Sequence, residues 1–119
     1  MLKRFLNVVP VISMLVVAQI QQPAQAADAF CIVKGTSAVH FRGNCIFKQF
    51  GGNGSFSIES PSGRIKGEVV MINVYVTEPG VAEVRGLTTS GINSRWGRAR
   101  RSTSDPACWV GSDFTICAY

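Results

Sequence analysis

The sequence has a single histidine, His40, and that scarcity removes much chemistry at once. A Ser–His–carboxylate site would have to use it, and no G-x-S-x-G surrounds any serine. Its place in a short strand-like segment beside Phe41 suits a structural imidazole. The four cysteines, Cys31, Cys45, Cys108 and Cys117, contain no C-x-x-C, so neither a dithiol redox site nor a common zinc pattern can be written. Seven acidic residues are scattered without a suggestive cluster. Gly52-Asn53-Gly54 is followed by no Lys-Ser/Thr and is not a phosphate loop. Beyond the first residues, apolar side chains nowhere recur at helical spacing over ten residues. These absences predict a non-enzymatic protein with no cofactor, no metal and no helical core.

The apolar run that is present lies at the start. Lys3 and Arg4 precede an apolar stretch, Val8 to Ile20, and Ala24-Gln25-Ala26 forms a small-x-small cleavage site. The stretch is shorter than the roughly 20 residues a spanning helix needs. The pattern is that of a secretory signal peptide of bacterial type over residues 1–26, with a mature chain over residues 27–119. It predicts a periplasmic or secreted protein without a transmembrane anchor in the mature chain.

The mature chain is short enough to be one domain, and marginal unless stapled. Export and an even cysteine count predict two disulfides. If Ser112-Asp113 turn a hairpin, Gly111 faces Phe114, Val110 faces Thr115, Trp109 faces Ile116 and Cys108 faces Cys117. That register is a non-hydrogen-bonded pair with Cα atoms about 4.5 Å apart, close enough to bridge. The preferred pairing is therefore Cys108–Cys117 with Cys31–Cys45. The two crossed pairings, which would tie the N-terminal strands to the last hairpin, stay open at this point.

Short strands separated by turns account for most of the rest. Phe30–Val33 reads as a strand, Lys34–Ser37 as a turn, and Arg42-Gly43-Asn44 as another turn before Cys45. Gly51-Gly52-Asn53-Gly54 is the clearest turn, since Asn-Gly tolerates positive φ at little steric cost. Ser55–Glu59 alternates, with Phe56 and Ile58 on one face. Val69–Val76 is apolar at nearly every position and predicts a central strand covered on both faces. Glu78-Pro79-Gly80 turns it into a return strand, Val81–Leu87. The sum is an all-β fold, a small antiparallel β-sandwich or barrel.

Charge is concentrated late in the chain. Outside Gly91–Pro106 the mature sequence balances its basic and acidic residues. Within that stretch Arg95, Arg98, Arg100 and Arg101 face Asp105 alone. Trp96 sits among them. Guanidinium forks bind carboxylate and phosphate, and an indole offers a flat face to a sugar or a cation. The stretch reads as a loop whose Arg95, Trp96, Arg98, Arg100 and Arg101 bind an anionic partner: a glycan, a lipid headgroup or an acidic protein surface. The bland reading is a solvated loop with arginine stems lying over apolar surface. Export argues against nucleic acid as the partner. Trp109, beside a predicted disulfide, reads as core.

Ser90-Gly91 and Trp109-Val110-Gly111 resemble the Ser-Gly and Trp-x-Gly elements of the small periplasmic inhibitors of C-type lysozyme, which are disulfide-bearing β-barrels. The chain lacks the aromatic soon after Ser-Gly and the basic residue after the Trp, so no functional residue is carried over. The resemblance covers five residues and implies a place for hydrolase inhibition beside the two other expectations, a binding protein and a structural envelope component.

Overall fold

The computed structural model describes residues 26–119, so the predicted signal peptide lies outside the described residues except for Ala26. Eight strands follow: β1 (Ala27–Lys34), β2 (Val39–Phe50), β3 (Ser55–Glu59), β4 (Val69–Glu78), β5 (Val81–Thr88), β6 (Asn93–Arg101), β7 (Cys108–Gly111) and β8 (Thr115–Ala118). Each pairs antiparallel with the next, and β8 returns to β1. The result is a closed up-and-down barrel, the second of the two architectures the turn spacing allowed.

Alternation fills the barrel. Val33, Ile58, Ile72, Val74, Val84 and Ile116 point inward and are fully buried. Phe56, Trp109 and Phe114 complete the core. Eight strands enclose only enough room for such side chains, so the interior is packed rather than open. The upper end of the barrel carries the connections 35–38, 60–68, 89–92 and 112–114. The lower end carries 51–54, 79–80 and 102–107, together with Ala27 and Tyr119.

Both bridges are local. Cys108 faces Cys117 across the last hairpin at a Cα–Cα distance of 4.0 Å. The Gly111 N–H closes its turn on the Phe114 carbonyl at 2.8 Å, which gives the register counted from the sequence. Cys31 and Cys45 sit diagonally across β1 and β2, since Cys31 pairs with Gly43 and Ala29 with Cys45. Their Cα atoms are 5.7 Å apart and both side chains are buried in the core. Each bridge closes a short loop and stabilises by about 2–3 kcal/mol. Two disulfides and no free cysteine among the described residues belong to a protein of an oxidising compartment, extracellular or periplasmic.

Three sequence expectations are corrected here. Arg42-Gly43-Asn44 does not turn; β2 runs unbroken from Val39 to Phe50, and these three residues pair with Ile32, Cys31 and Phe30 of β1. Val69–Val76 is not covered on both faces. Val69, Ile72 and Val74 are buried, whereas Met71, Asn73 and Tyr75 are half-buried on the outer wall. A barrel has only one dry side, so an apolar run need not mean two covered faces. The arginine-rich stretch is not a loop, because Asn93–Arg101 is a strand hydrogen-bonded to β5.

Strand ends that overrun their neighbours are treated unequally. The lower part of β4 runs past β3, whose pairing stops at Val74. There the Asn53 Nδ2 donates to the Val76 carbonyl at 2.8 Å, and the Val76 N–H donates to Ser55 Oγ at 2.9 Å. Side chains thus take over where the ladder ends. The upper part of β6 overruns β7 in the same way: β7 pairs only with Ala99–Arg101, so the stretch 93–98 is paired on the β5 side alone among the described residues.

Candidate functional site

The side chains of β6 divide by the pleat. Arg95, Arg98 and Arg100 are exposed, while Ala99 is buried. The alternation slips once. Val84 pairs with Gly97 and Arg85 with Arg95, leaving Trp96 as the extra residue of a β-bulge. The bulge places Trp96 and Gly97 in succession on the inner side. Gly97, at φ +121°, adopts a backbone conformation that a side chain would strain.

Trp96 is therefore turned into the upper mouth rather than out to solvent. Its ring meets Phe114 edge-on at 5.6 Å. Gly86 makes room for it: a Cβ there would lie 2.7 Å from the indole Nε1. Lys66, from the connection before β4, holds its ammonium 5.8 Å from the centre of the ring, within cation–π range. A pocket of about 220 Å³ opens here, lined by His40, Lys66, Arg95, Trp96, Asp113 and Phe114. His40, read from the sequence as structural, stands exposed on its rim. It is the extra residue where β2 slips against the end of β1.

The charges around this pocket are not equivalent. Arg95 forks onto Glu83, with Nε to Oε1 at 3.1 Å and Nη2 to Oε2 at 3.3 Å, which orients the guanidinium and partly neutralises it. Both groups are partly solvated, so the pair itself adds little stability. Lys66 forms no ion pair among the described residues, and Asp113 is the one acid of the lining. Together they form an aromatic floor whose rim carries two cations, one of them paired with Glu83, and the acid Asp113.

No family model, curated protein or solved structure matches this chain. The site is therefore read from its own geometry.

The five residues singled out in the sequence are not brought to one place. Arg95 and Trp96 meet at the upper mouth. Arg98 and Arg100 stand on the outer wall, without an ion pair among the described residues. Arg101 lies at the lower mouth, paired with Trp109 across β6 and β7, its guanidinium 5.0 Å from the Trp109 ring centre. A smaller pocket of about 120 Å³, lined in part by Arg101, Ala107 and Trp109, lies here, and hydrogen bonds lace the chain around it. The Tyr119 N–H donates to the Phe30 carbonyl at 2.9 Å, the Ala118 N–H to the Ala107 carbonyl at 3.0 Å, and the Tyr119 hydroxyl to Asp105 Oδ2 at 2.6 Å. Lys66 and Phe114 are site residues that the sequence did not mark. A phenylalanine beside a hairpin turn and an isolated lysine in a turn-rich segment carry no signal until the fold sets them against an indole.

Proposed function

We propose that the protein is a small exported binding protein without catalytic activity, holding an anionic partner at the upper mouth of its barrel. One observation carries the reading: Trp96 and Phe114 floor a pocket whose rim presents Lys66 and Arg95. A flat apolar floor under cationic donors suits a carboxylate or phosphate attached to a ring or an aliphatic body. Arg98 and Arg100 extend the positive field down the outer wall and favour the approach of an anionic partner. A glycan, a lipid headgroup and an acidic protein surface all offer that chemistry. The acidic cleft of a secreted hydrolase falls within the same class, so an inhibitor would use the same mouth. A structural envelope component would use the arginines as a general electrostatic tether.

The test is a titration of the oxidised protein with an oligouronate, anionic vesicles and an acidic peptide, each at low and high salt. At least one is expected to bind at high salt and to weaken about tenfold or more in Trp96→Ala, because ring contact is not screened as exposed charge is. If salt releases all three, and Trp96→Ala binds as the native protein does, the pocket reading fails and the tether remains.

A further inference from the structure

The closed barrel leaves stretches of ladder unused on β2, which β3 pairs only from Ile46 onward, and on the upper part of β6. Residues 93–98 have β5 on one side and no strand on the other among the described residues. The direction of the free groups follows from alternation. The Ile92 carbonyl accepts from the Thr88 N–H at 2.8 Å and so points to β5. Asn93 and Arg95 then turn their N–H and C=O groups to the open side. The Asn93 carbonyl takes the Arg85 guanidinium at 3.1 Å. Among the described residues the Asn93 N–H and both backbone groups of Arg95 are left for a partner. They are two residues apart, which is the repeat of a pairing strand. The corresponding overrun of β4 is closed by Asn53 and Ser55, whereas on β6 only the Asn93 carbonyl is engaged in this way among the described residues.

We propose that the anionic partner of the upper mouth is an extended acidic peptide segment that adds to β6 as an extra antiparallel or parallel strand. This rests on the reading of the mouth as an anion site and names its occupant. Strand addition draws affinity from main-chain hydrogen bonds and specificity from pockets for alternate side chains. Both are present. One face of an added strand continues the outer wall, beside Arg95 and Arg98. The other face continues the inner wall and meets the pocket floored by Trp96 and Phe114. The fitting segment alternates acidic and apolar residues.

The same features select against other strands. A second copy of β6 would set arginines against arginines across the new ladder, and like charges directly opposite destabilise a pair. Charged side chains and a bulge are also the usual guards of an exposed edge. An acidic strand is the partner for which the charge guard becomes an attraction.

The experiment uses the oxidised protein and two peptides, a hexapeptide of alternating glutamate and valine and the same peptide N-methylated at alternate residues. N-methylation on the ladder side removes the donors and leaves every charge in place. The parent peptide is expected to bind and to slow amide exchange at Asn93 and Arg95. The methylated peptide is expected to bind at least about tenfold more weakly, as the loss of two or more net hydrogen bonds implies. Equal binding of the two peptides would overturn strand addition. So would failure of both, and an oligouronate that still perturbs Trp96 would then leave the mouth reading standing. A dimer of the free protein in sedimentation, lost in Arg98→Glu, would also overturn it and assign the edge to self-pairing.

Discussion

The two tryptophans sit at opposite mouths of one barrel, each beside a cation, and their surroundings differ. Trp109 is 3% exposed, lies next to the Cys108–Cys117 bridge and is covered by Arg101. Around it the C-terminal residues are hydrogen-bonded to β1, to Ala107 and to Asp105. Trp96 is half-buried, set on a bulge, and floors an open pocket. An indole under a guanidinium or ammonium is thus not by itself a binding site. What distinguishes the upper one is a half-buried ring in a larger pocket, beside a strand edge unpaired among the described residues.

The sharpest way to break that contrast is truncation. Trp109→Ala should cost about 3–5 kcal/mol, since a large buried ring leaves a cavity that strands cannot close. Trp96→Ala should cost only about 1–2 kcal/mol, near the middle of the range for point changes. Urea denaturation of the two variants measures both. Equal losses would make Trp96 a core residue and remove the distinction. Next in size, replacing Cys108 and Cys117 together by alanine should lower stability by about 2–3 kcal/mol. The same hairpin carries Trp109 and Phe114, so this change should disturb both mouths, as tryptophan emission would report.

Gly86→Ala sharpens the comparison from one side. The added methyl falls 2.7 Å from the Trp96 Nε1, so the indole must shift. Overpacking of this kind costs about 1–3 kcal/mol. Anion binding should fall while the surroundings of Trp109 stay as they are. Arg101→Ala should cost about 0.5–1 kcal/mol, the size of an exposed cation–π contact, and leave anion binding unchanged. A loss of binding in that variant would move the site to the lower mouth.

The smallest effect is one of pH. The hydrogen bond from Tyr119 to Asp105 is the main cause that raises the phenol above its ordinary 10.0; desolvation and the charge of Asp105 add to this, and Arg42 opposes it. The fold therefore favours the protonated phenol. That contribution is complete below the ordinary pKa and is lost as pH rises through the raised one. Phenolate absorbance in Tyr75→Phe isolates Tyr119. Asp105→Asn should bring its titration down, and an unchanged curve would show that the contact does not form in solution.

Much of the scaffold was legible because it rests on short-range rules. The Ser112-Asp113 turn set the register that joins Cys108 to Cys117, and subtraction then gave Cys31–Cys45. The Asn53-Gly54 turn and the β4–β5 hairpin followed from turn chemistry in the same way. β6 was missed for a definite reason. Its pattern of Ser94, Trp96 and Ala99 inside and Arg95, Arg98 and Arg100 outside is a strand pattern with one slip in phase at the bulge. Read without the slip, it looks like a polar loop rich in glycine and arginine. The site was half legible. Arg95 and Trp96 are adjacent in sequence, but Lys66 and Phe114 reach them only through barrel closure, which no local pattern encodes.

The claim that recognition belongs to the upper mouth has a direct test in the two indole N–H resonances, one from each end of the barrel. The oxidised protein is titrated with an oligouronate and with the alternating acidic peptide while both signals are followed by NMR. The resonance assigned through Trp96→Phe should move and saturate with at least one of them, and that of Trp109 should stay in place. Movement confined to Trp109, or no movement of either signal, would contradict the assignment of the site.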